Sequence, residues 1–428
     1  MASDGTTAAA PPATPPGTPP ASLWRHRPFL ALWAGQAVSE TGSAVSTLVL
    51  PLLAVAVLHA TTFQVAALEA LGTVPFLLLA LPAGVIADRV RKRRLMLGCD
   101  LARLLFTASL PAVAWWGHVT LVQLFAVAAG IGVLTVFFDV AYQSCLPALV
   151  APGQLMDANG KLATTEALAR FAGPPLGGAL TGLFGAARAV TADALSYAAS
   201  AAALLLMRLP EPRTAAAADR PGFRAAMGEG LTYLARHPIL RKVVACTTTA
   251  NFFGGGVSAV TVVFLVRVLG ASPGTVGAVL GLASLGGVAG GLLAGPLTRR
   301  IGSARIIWLS ILLPAPLTLL VPLAFHGPGV LLYAAGSAVY SAAGVVYNTA
   351  QVSYRQRVCP PALLGRLNAS VRWFAWGALP LGALAAGSLA GTLGVRGTLW
   401  ICVPGTALSG LWVLASPLRR MRDVPQGV

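Results

Sequence analysis

Negative charge is what this chain has least of. Of 428 residues only 13 are Asp or Glu, against 30 Lys or Arg, and no acidic residue occurs between Glu229 and Asp423. Charges of both signs make up 10% of the residues, apolar side chains 56%, and mean hydropathy is +0.76. That balance excludes a soluble globular protein and places the chain among integral membrane proteins. The formal charge of +17 does not argue for nucleic acid. The cations sit in short loops beside apolar runs, where they report topology and contact with anionic membrane lipid. A Gly-x4-Gly-Lys-Ser/Thr phosphate loop is also missing: Gly160-Lys161 is followed by Leu162, so ATP is not expected to supply the energy. Cys99, Cys145, Cys246, Cys359 and Cys402 have no CxxC spacing and read as free structural thiols. His26, His59, His118, His237 and His326 are scattered among loops with no metal or nucleophile spacing. No cofactor, metal or enzymatic activity is therefore expected.

What is present is organised around Gly84-Val85-Ile86-Ala87-Asp88-Arg89-Val90-Arg91-Lys92-Arg93-Arg94, a glycine, a lone carboxylate and a burst of cations between two long apolar runs. A loop this short and basic belongs on the cytoplasmic face, because Lys and Arg near span ends are held back from translocation. Twelve apolar spans follow one another between residues 29 and 416. An even count puts both termini inside, and the predicted outer loops then hold only Arg188, Arg267 and Arg396. The expectation is an all-α, multi-pass protein of a bacterial cytoplasmic membrane. Residues 1–23 form a disordered tail, 24–209 a first six-helix bundle, 210–240 a cytoplasmic linker, 241–416 a second bundle and 417–428 a short tail. Within the linker Phe223, Met227, Leu231 and Leu234 recur at helical spacing, which predicts a helix lying in the membrane interface.

A repeat supports the division into six and six. Pro152, Leu155, Asn159, Gly173, Gly178, Gly182 and Gly185 return 209 residues later as Pro361, Leu364, Asn368, Gly382, Gly387, Gly391 and Gly394. Gly84 and Ala87 match Gly291 and Ala294 at an offset of 207. Two repeats of six spans in one orientation imply bundles related by a pseudo-two-fold axis normal to the membrane, with a substrate path between them.

Moving a solute without ATP calls for an ion gradient, and carboxylates at membrane depth are its mark, each costing about 2.5–3.5 kcal/mol if charged. Glu40, Glu69, Asp139, Glu166 and Asp193 fit, all in the first half. Glu40, the deepest by count, is the first candidate for proton coupling and Asp139 the second; either reads equally as a carboxylate hydrogen-bonded between helices. Glu166 and Arg170 are four apart and also read as an intrahelical pair. Glu69 and Asp193 lie near outer ends, where water is expected to reach them. Phe137, Phe138, Trp373, Phe374 and Trp376 are candidates for a cavity lining, with packing roles as the alternative. In the fifth span, Gly173-Pro174-Pro175-Leu176-Gly177-Gly178 combines a proline kink with glycines that let a neighbouring helix approach.

Gly84-x-x-Ala87-Asp88-Arg89 with the following basic residues resembles the loop signature of the major facilitator superfamily, and Ala169-x-x-x-Gly173-Pro174-x-x-Gly177-Gly178 resembles that superfamily's antiporter signature, with Ala169 where Gly is usual. Asp100-Leu101-Ala102-Arg103, Leu155 to Gly160 and Arg236 to Arg241 are similar to exporters of the macrolide and enterobactin type. The resemblance implies the major facilitator fold, a proton-coupled exporter of a lipophilic small molecule working as a monomer, and a gating group of Gly84, Asp88, Arg89, Arg93, Arg94, Asp100 and Arg103. It further implies that Asp88 holds the bundles together when the outer side is open, with Arg366 and Arg372 as partners. An importer or facilitator of a small solute on the same fold, or a non-transporting membrane sensor, is the alternative.

Overall fold

Inside a bilayer every backbone N–H and C=O needs an internal partner, so apolar segments of this length have the α-helix as their solution. The computed structural model describes residues 23–207 and 223–424, and among these the regular structure is helical throughout. The predicted N-terminal tail before Leu23, and linker residues 208–222, lie outside the described residues.

The first half comprises α1 (Arg27–Leu52), α2 (Thr62–Arg89), α3 (Lys92–Trp116), α4 (Leu121–Leu149), α5 (Leu155–Phe184), a single turn α6 (Ala186–Ala189) and α7 (Thr191–Leu206). The linker helix α8 (Phe223–Arg236) leads to α9 (Leu240–Val263), α10 (Pro273–Ile301), a ninth crossing broken into α11 (Arg305–Leu312), α12 (Ala315–Thr318) and α13 (Leu320–Leu323), then α14 (Val330–Val358), α15 (Pro361–Leu408) and α16 (Gly410–Leu414). Ten segments among the described residues are long and apolar enough to cross a membrane. One of them, Leu363–Leu414, contains two crossings joined where Gly394 adopts φ 72° and ψ 166°. The remaining crossing is α5, which carries Asp157, Lys161, Glu166 and Arg170. Twelve crossings result, as the apolar runs predict.

The sequence repeat is geometric. Gly185 ends α5 at φ 82°, ψ 155°, and its counterpart Gly394 ends the eleventh crossing in the same left-handed conformation, one that glycine alone adopts without steric cost. Gly173 meets Ala44 on α1, and Gly382 meets Phe252 on α9. A second register, 211 residues, passes unseen in the Gly pattern. Nδ1 of His26 accepts the Phe29 N–H at the start of α1, and Nδ1 of His237 accepts the Leu240 N–H at the start of α9. Both helices end in a π-turn, Leu53–Val57 and Phe264–Val268. Each is closed by the same pair of bonds, Leu58 N–H to Leu53 O and Ala60 N–H to Ala54 O in one, Leu269 N–H to Phe264 O and Ala271 N–H to Leu265 O in the other. His59 and Gly270 then take positive φ, 48° and 63°, and Thr61 and Ser272 cap the next helices.

Packing differs between the two ends. At the end away from α8, one apolar cluster runs through both halves, including Val49, Leu52 and Leu53 of the first and Val263, Phe264 and Val276 of the second. At the α8 end the core splits, Met96, Phe138 and Leu204 belonging to one cluster and Tyr347, Leu367 and Val413 to another. The halves are sealed at the far end and parted at the linker end. Crossing contacts follow the repeat: Gly178 of α5 lies against Pro273 O and Gly277 of α10, while Gly387 of α15 lies against Ala66 and Phe63 of α2.

The linker helix is held by protein. The Tyr233 hydroxyl donates to Val358 O at 3.1 Å, Leu234 is buried, and Glu229 pairs with Arg366. Arg366 is thus engaged by the linker helix; the side chain of Asp88, whose expected partner it is, lies outside the described residues. The three far-end arginines are anchored as well: Arg188 lies 6.0 Å over Trp115, Arg267 donates to Ala60 O at 2.7 Å, and Arg396 donates to Pro322 O at 2.7 Å. Trp115 and Trp116 are exposed beside them, as an interfacial aromatic belt requires. All five cysteines are buried and free.

Candidate functional site: the cavity between the halves

The parted end leads to two neighbouring cavities that share a wall. The larger, of about 520 Å³, is built from α9, α11, α12, α14 and α15 of the second half, with Asn251, Tyr340, Asn348, Gln351 and Arg355 supplying polar groups. The smaller, of about 230 Å³, lies on the seam, between Phe76 of α2, Asp139 and Gln143 of α4, and Arg372, Trp373 and Trp376 of α15. Arg372 and Trp376 line both, the guanidinium 5.6 Å from the indole ring. Among the described residues the only acidic side chain on these two walls is Asp139, and it comes from the half that holds all the membrane-depth acids.

Glu40 sits half-buried on α1, its Oε1 accepting from Gln36 Nε2 at 2.7 Å. Glu40, Asp139 and Glu166 lie within electrostatic reach of one another, with Arg170 and Arg103 close enough to offset Glu40 and Arg372 close enough to offset Asp139. The sequence candidates for proton handling therefore come together from α1, α4 and α5. Glu166 and Arg170 form the i,i+4 pair that their spacing suggested, Arg170 Nη2 to Glu166 Oε1 at 2.6 Å, on an exposed face of α5.

Other placements depart from expectation. Asp100 and Arg103, grouped by motif with the loop, lie inside the first bundle, paired with each other and 0% and 4% exposed. The Arg103 guanidinium is sandwiched between Phe138 at 4.2 Å and Tyr197 at 4.7 Å. Phe138 is accordingly a buried platform for that cation and is not on the walls of these two cavities, whereas Trp373 and Trp376 are. Asp193 is not at a wet outer end: it is 1% exposed and accepts from Ser46 Oγ at 2.6 Å and Ser196 Oγ at 3.2 Å. Its carboxylate ties α7 to α1. Glu69, half-buried, faces Ser258 of α9 across the seam.

The loop cations divide by task. Arg93 donates through Nε and Nη2 to the carbonyls of Leu204 and Leu205, both at 2.7 Å, satisfying the end of α7. Lys92 reaches Ser144 O at 3.0 Å, and Arg94 is exposed. Gly84 has open space where a Cβ would stand. The side chains of Asp88 and Arg89 lie outside the described residues. In α5, a Cβ on Gly173 would collide with Ala44, and one on Gly178 with Pro273 O. A Cβ on Gly177 would stand 3.1 Å from Val45 O, and Pro174 O faces Gly277. This motif packs on α1 with one face and on the opposite half with the other.

Sequence reasoning missed the cavity's second-half wall. Asn348, Gln351 and Arg355 share one face of α14, and their i, i+3, i+7 spacing within an apolar span was the available signal.

Residues 18–426 match the family described as transmembrane secretion effectors. The chain is 28% identical over 367 residues to the multidrug efflux pump Tap of Mycolicibacterium fortuitum, covering 82% of this chain and 86% of that protein. It is 22% identical over 382 residues to macrolide efflux protein A of Streptococcus pyogenes, covering 88% and 94%. Among solved structures, a mutant form of the nucleoside transporter NupG superposes with a TM-score of 0.73 at 11% identity, over 91% of this chain and 99% of that one. A bacterial homologue of the human lysosomal transporter Spinster, inward-facing and occupied, superposes with a TM-score of 0.71 at 16% identity, over 94% and 98%.

Proposed function

Since the chain belongs to the transmembrane secretion effectors, transporters of the major facilitator superfamily and not enzymes, we propose that it is a proton-coupled exporter. It carries a lipophilic small molecule across the bacterial cytoplasmic membrane by alternating access, as a monomer. The cation distribution argues that the linker end and both termini face the cytoplasm, so the parted halves correspond to a cavity loading from inside. The efflux activity in the names of two relatives supports the outward direction.

One observation carries the coupling: Asp139 lines the seam cavity beside Arg372, with Glu40 and Glu166 in electrostatic reach. A carboxyl group gives up its proton where water and a cation reach it and keeps it where apolar walls close over it. A seam that opens alternately to the two sides delivers both conditions to one side chain. Asp139 takes the leading role, and Glu40, already bonded to Gln36, the supporting one. The Gly-Pro stretch of α5 supplies a close-packed far-end contact that limits leakage, and Asp88 with the loop cations gates the linker end.

The test is transport in proteoliposomes under an imposed pH gradient. Asp139→Asn should retain substrate exchange across the membrane while losing proton-driven accumulation, and Glu40→Gln should lose less. Gradient-driven transport unchanged in Asp139→Asn would reject that residue as the carrier, and transport indifferent to a protonophore would reject proton coupling altogether.

A further inference from the structure

The larger cavity contains a cation with no anion to answer it. Arg355 lines it from α14, and the second half offers no carboxylate anywhere between Glu229 and Asp423. The titratable neighbours of Arg355 are Tyr347 and Cys359, groups that are neutral near pH 7. Its hydrogen bonding is as incomplete as its charge balance. Nη1 reaches Gln351 Oε1 at 3.4 Å, Gln351 in turn donates to Asn348 Oδ1 at 3.0 Å, and Nε of Arg355 is buried without a partner. Arg372, on the same wall, differs, because Asp139 lies across the seam from it.

A partly buried guanidinium bears a desolvation cost that only an anion or a full set of acceptors offsets. Its planar fork matches a carboxylate, sulfonate or phosphate in two parallel hydrogen bonds. Asn348 and Gln351 continue from it as amide donors along one helix face, and Trp376 adds an aromatic surface to the same lining. We propose that the transported molecule is a small amphipathic anion whose acidic group is received by Arg355 and whose apolar or aromatic body lies against Trp376. This rests on the export reading above and narrows its substrate from lipophilic compounds in general to acidic ones.

Two probes with one scaffold separate charge from hydrophobicity: 8-anilinonaphthalene-1-sulfonate carries a sulfonate, and N-phenyl-1-naphthylamine lacks it. Both are titrated into the full-length protein in nanodiscs, with empty nanodiscs subtracted. In Arg355→Gln the affinity for the sulfonate should fall about ten-fold or more while that for the neutral probe stays put, and Arg355→Lys should recover much of the loss by restoring the charge. A parallel loss for both probes, no loss for either, or no binding of the sulfonate by the wild-type protein overturns the proposal. Proton-driven transport of the same probes is read separately. Arg355-dependent sulfonate binding without gradient-driven transport leaves the anion seat standing and rejects the coupled exporter; gradient-driven transport indifferent to Arg355 does the reverse.

Discussion

At the scale of single residues, the deepest electrostatic commitment is the pair Asp100 and Arg103, closed inside the first bundle between Phe138 and Tyr197. Removing one member leaves the other charged and buried, which costs about 3–5 kcal/mol, whereas replacing both with apolar groups costs much less. Arg103→Leu should therefore lower the melting temperature of the purified protein sharply, and Asp100→Leu with Arg103→Leu should recover a large part of it. Equal losses in the single and double variants would refute the pairing as the cause. The same residues illustrate how far a linear reading reaches. Their four-residue motif places them beside the basic loop, but α3 begins at Lys92, and about two turns of helix carry Asp100, and about three Arg103, from the loop into the bundle. Asp193 misleads for a related reason: its position along α7 was legible, its interhelical partner Ser46 was not, because Ser46 is 147 residues away.

At the scale of elements, capping governs how the second half begins and ends. His237 Nδ1 accepts the Leu240 N–H, and burial holds the imidazole below the ordinary histidine range. A group whose folded pKa is depressed gives stability that is present above its unfolded pKa and lost as pH falls through the folded one. The protection of amides at the start of α9, corrected for intrinsic exchange, should thus fall as pH drops below about 6.5, and in His237→Asn, which caps without titrating, that fall should vanish. At the other end the C-terminal segment grips the α10–α11 turn. Ser303 N–H donates to Asp423 Oδ1 at 2.9 Å, Val424 N–H to Ser303 Oγ at 3.0 Å, and Ala304 N–H to Arg422 O at 3.0 Å. That turn matches the first-half loop but has no carboxylate of its own; Asp423 brings one from 120 residues downstream. The Ser303 N–H holds the Asp423 carboxyl below the usual carboxylate range, so its grip is complete above about pH 4 and weakens beneath that. Asp423→Ala should raise proteolytic cleavage near Ser303 at neutral pH, and unchanged cleavage would deny the clasp. No local pattern announces such a partner, which is why it was invisible in the chain. The Gly185 and Gly394 breaks were visible, because a helix end at positive φ demands glycine at the position itself.

At the scale of the whole molecule, the twelve crossings and their halving were readable because span length, cation placement and repeated glycines each report on the bilayer without reference to tertiary contacts. The cavity was not readable, since it is made where helices are absent, and which end opens is decided by packing between halves. The glycines of α5 and α10 set that packing. In Gly178→Val the added side chain meets Pro273 O and must push α5 from α10. A cysteine at Gln143, in the seam cavity, should then react more slowly with an impermeant thiol reagent from the linker side and faster from the far side than in a Gly178 background. An unchanged ratio of the two rates would mean that this contact does not bias the alternation.

The two duplicated turns at the far end meet through one side chain. Arg267 of the second turn donates to Ala60 O and Val55 O of the first, and its counterpart in the first turn, Ala56, has nothing to offer in return. A guanidinium holding carbonyl oxygens has no titrating member within the physiological range. This clasp is therefore blind to acidity on the side it faces. If the far end faces outward, as proposed above, the bonds of Arg267 itself do not answer to external acidity, and the acids and the occupied cavity between the halves are left as the groups that act on them.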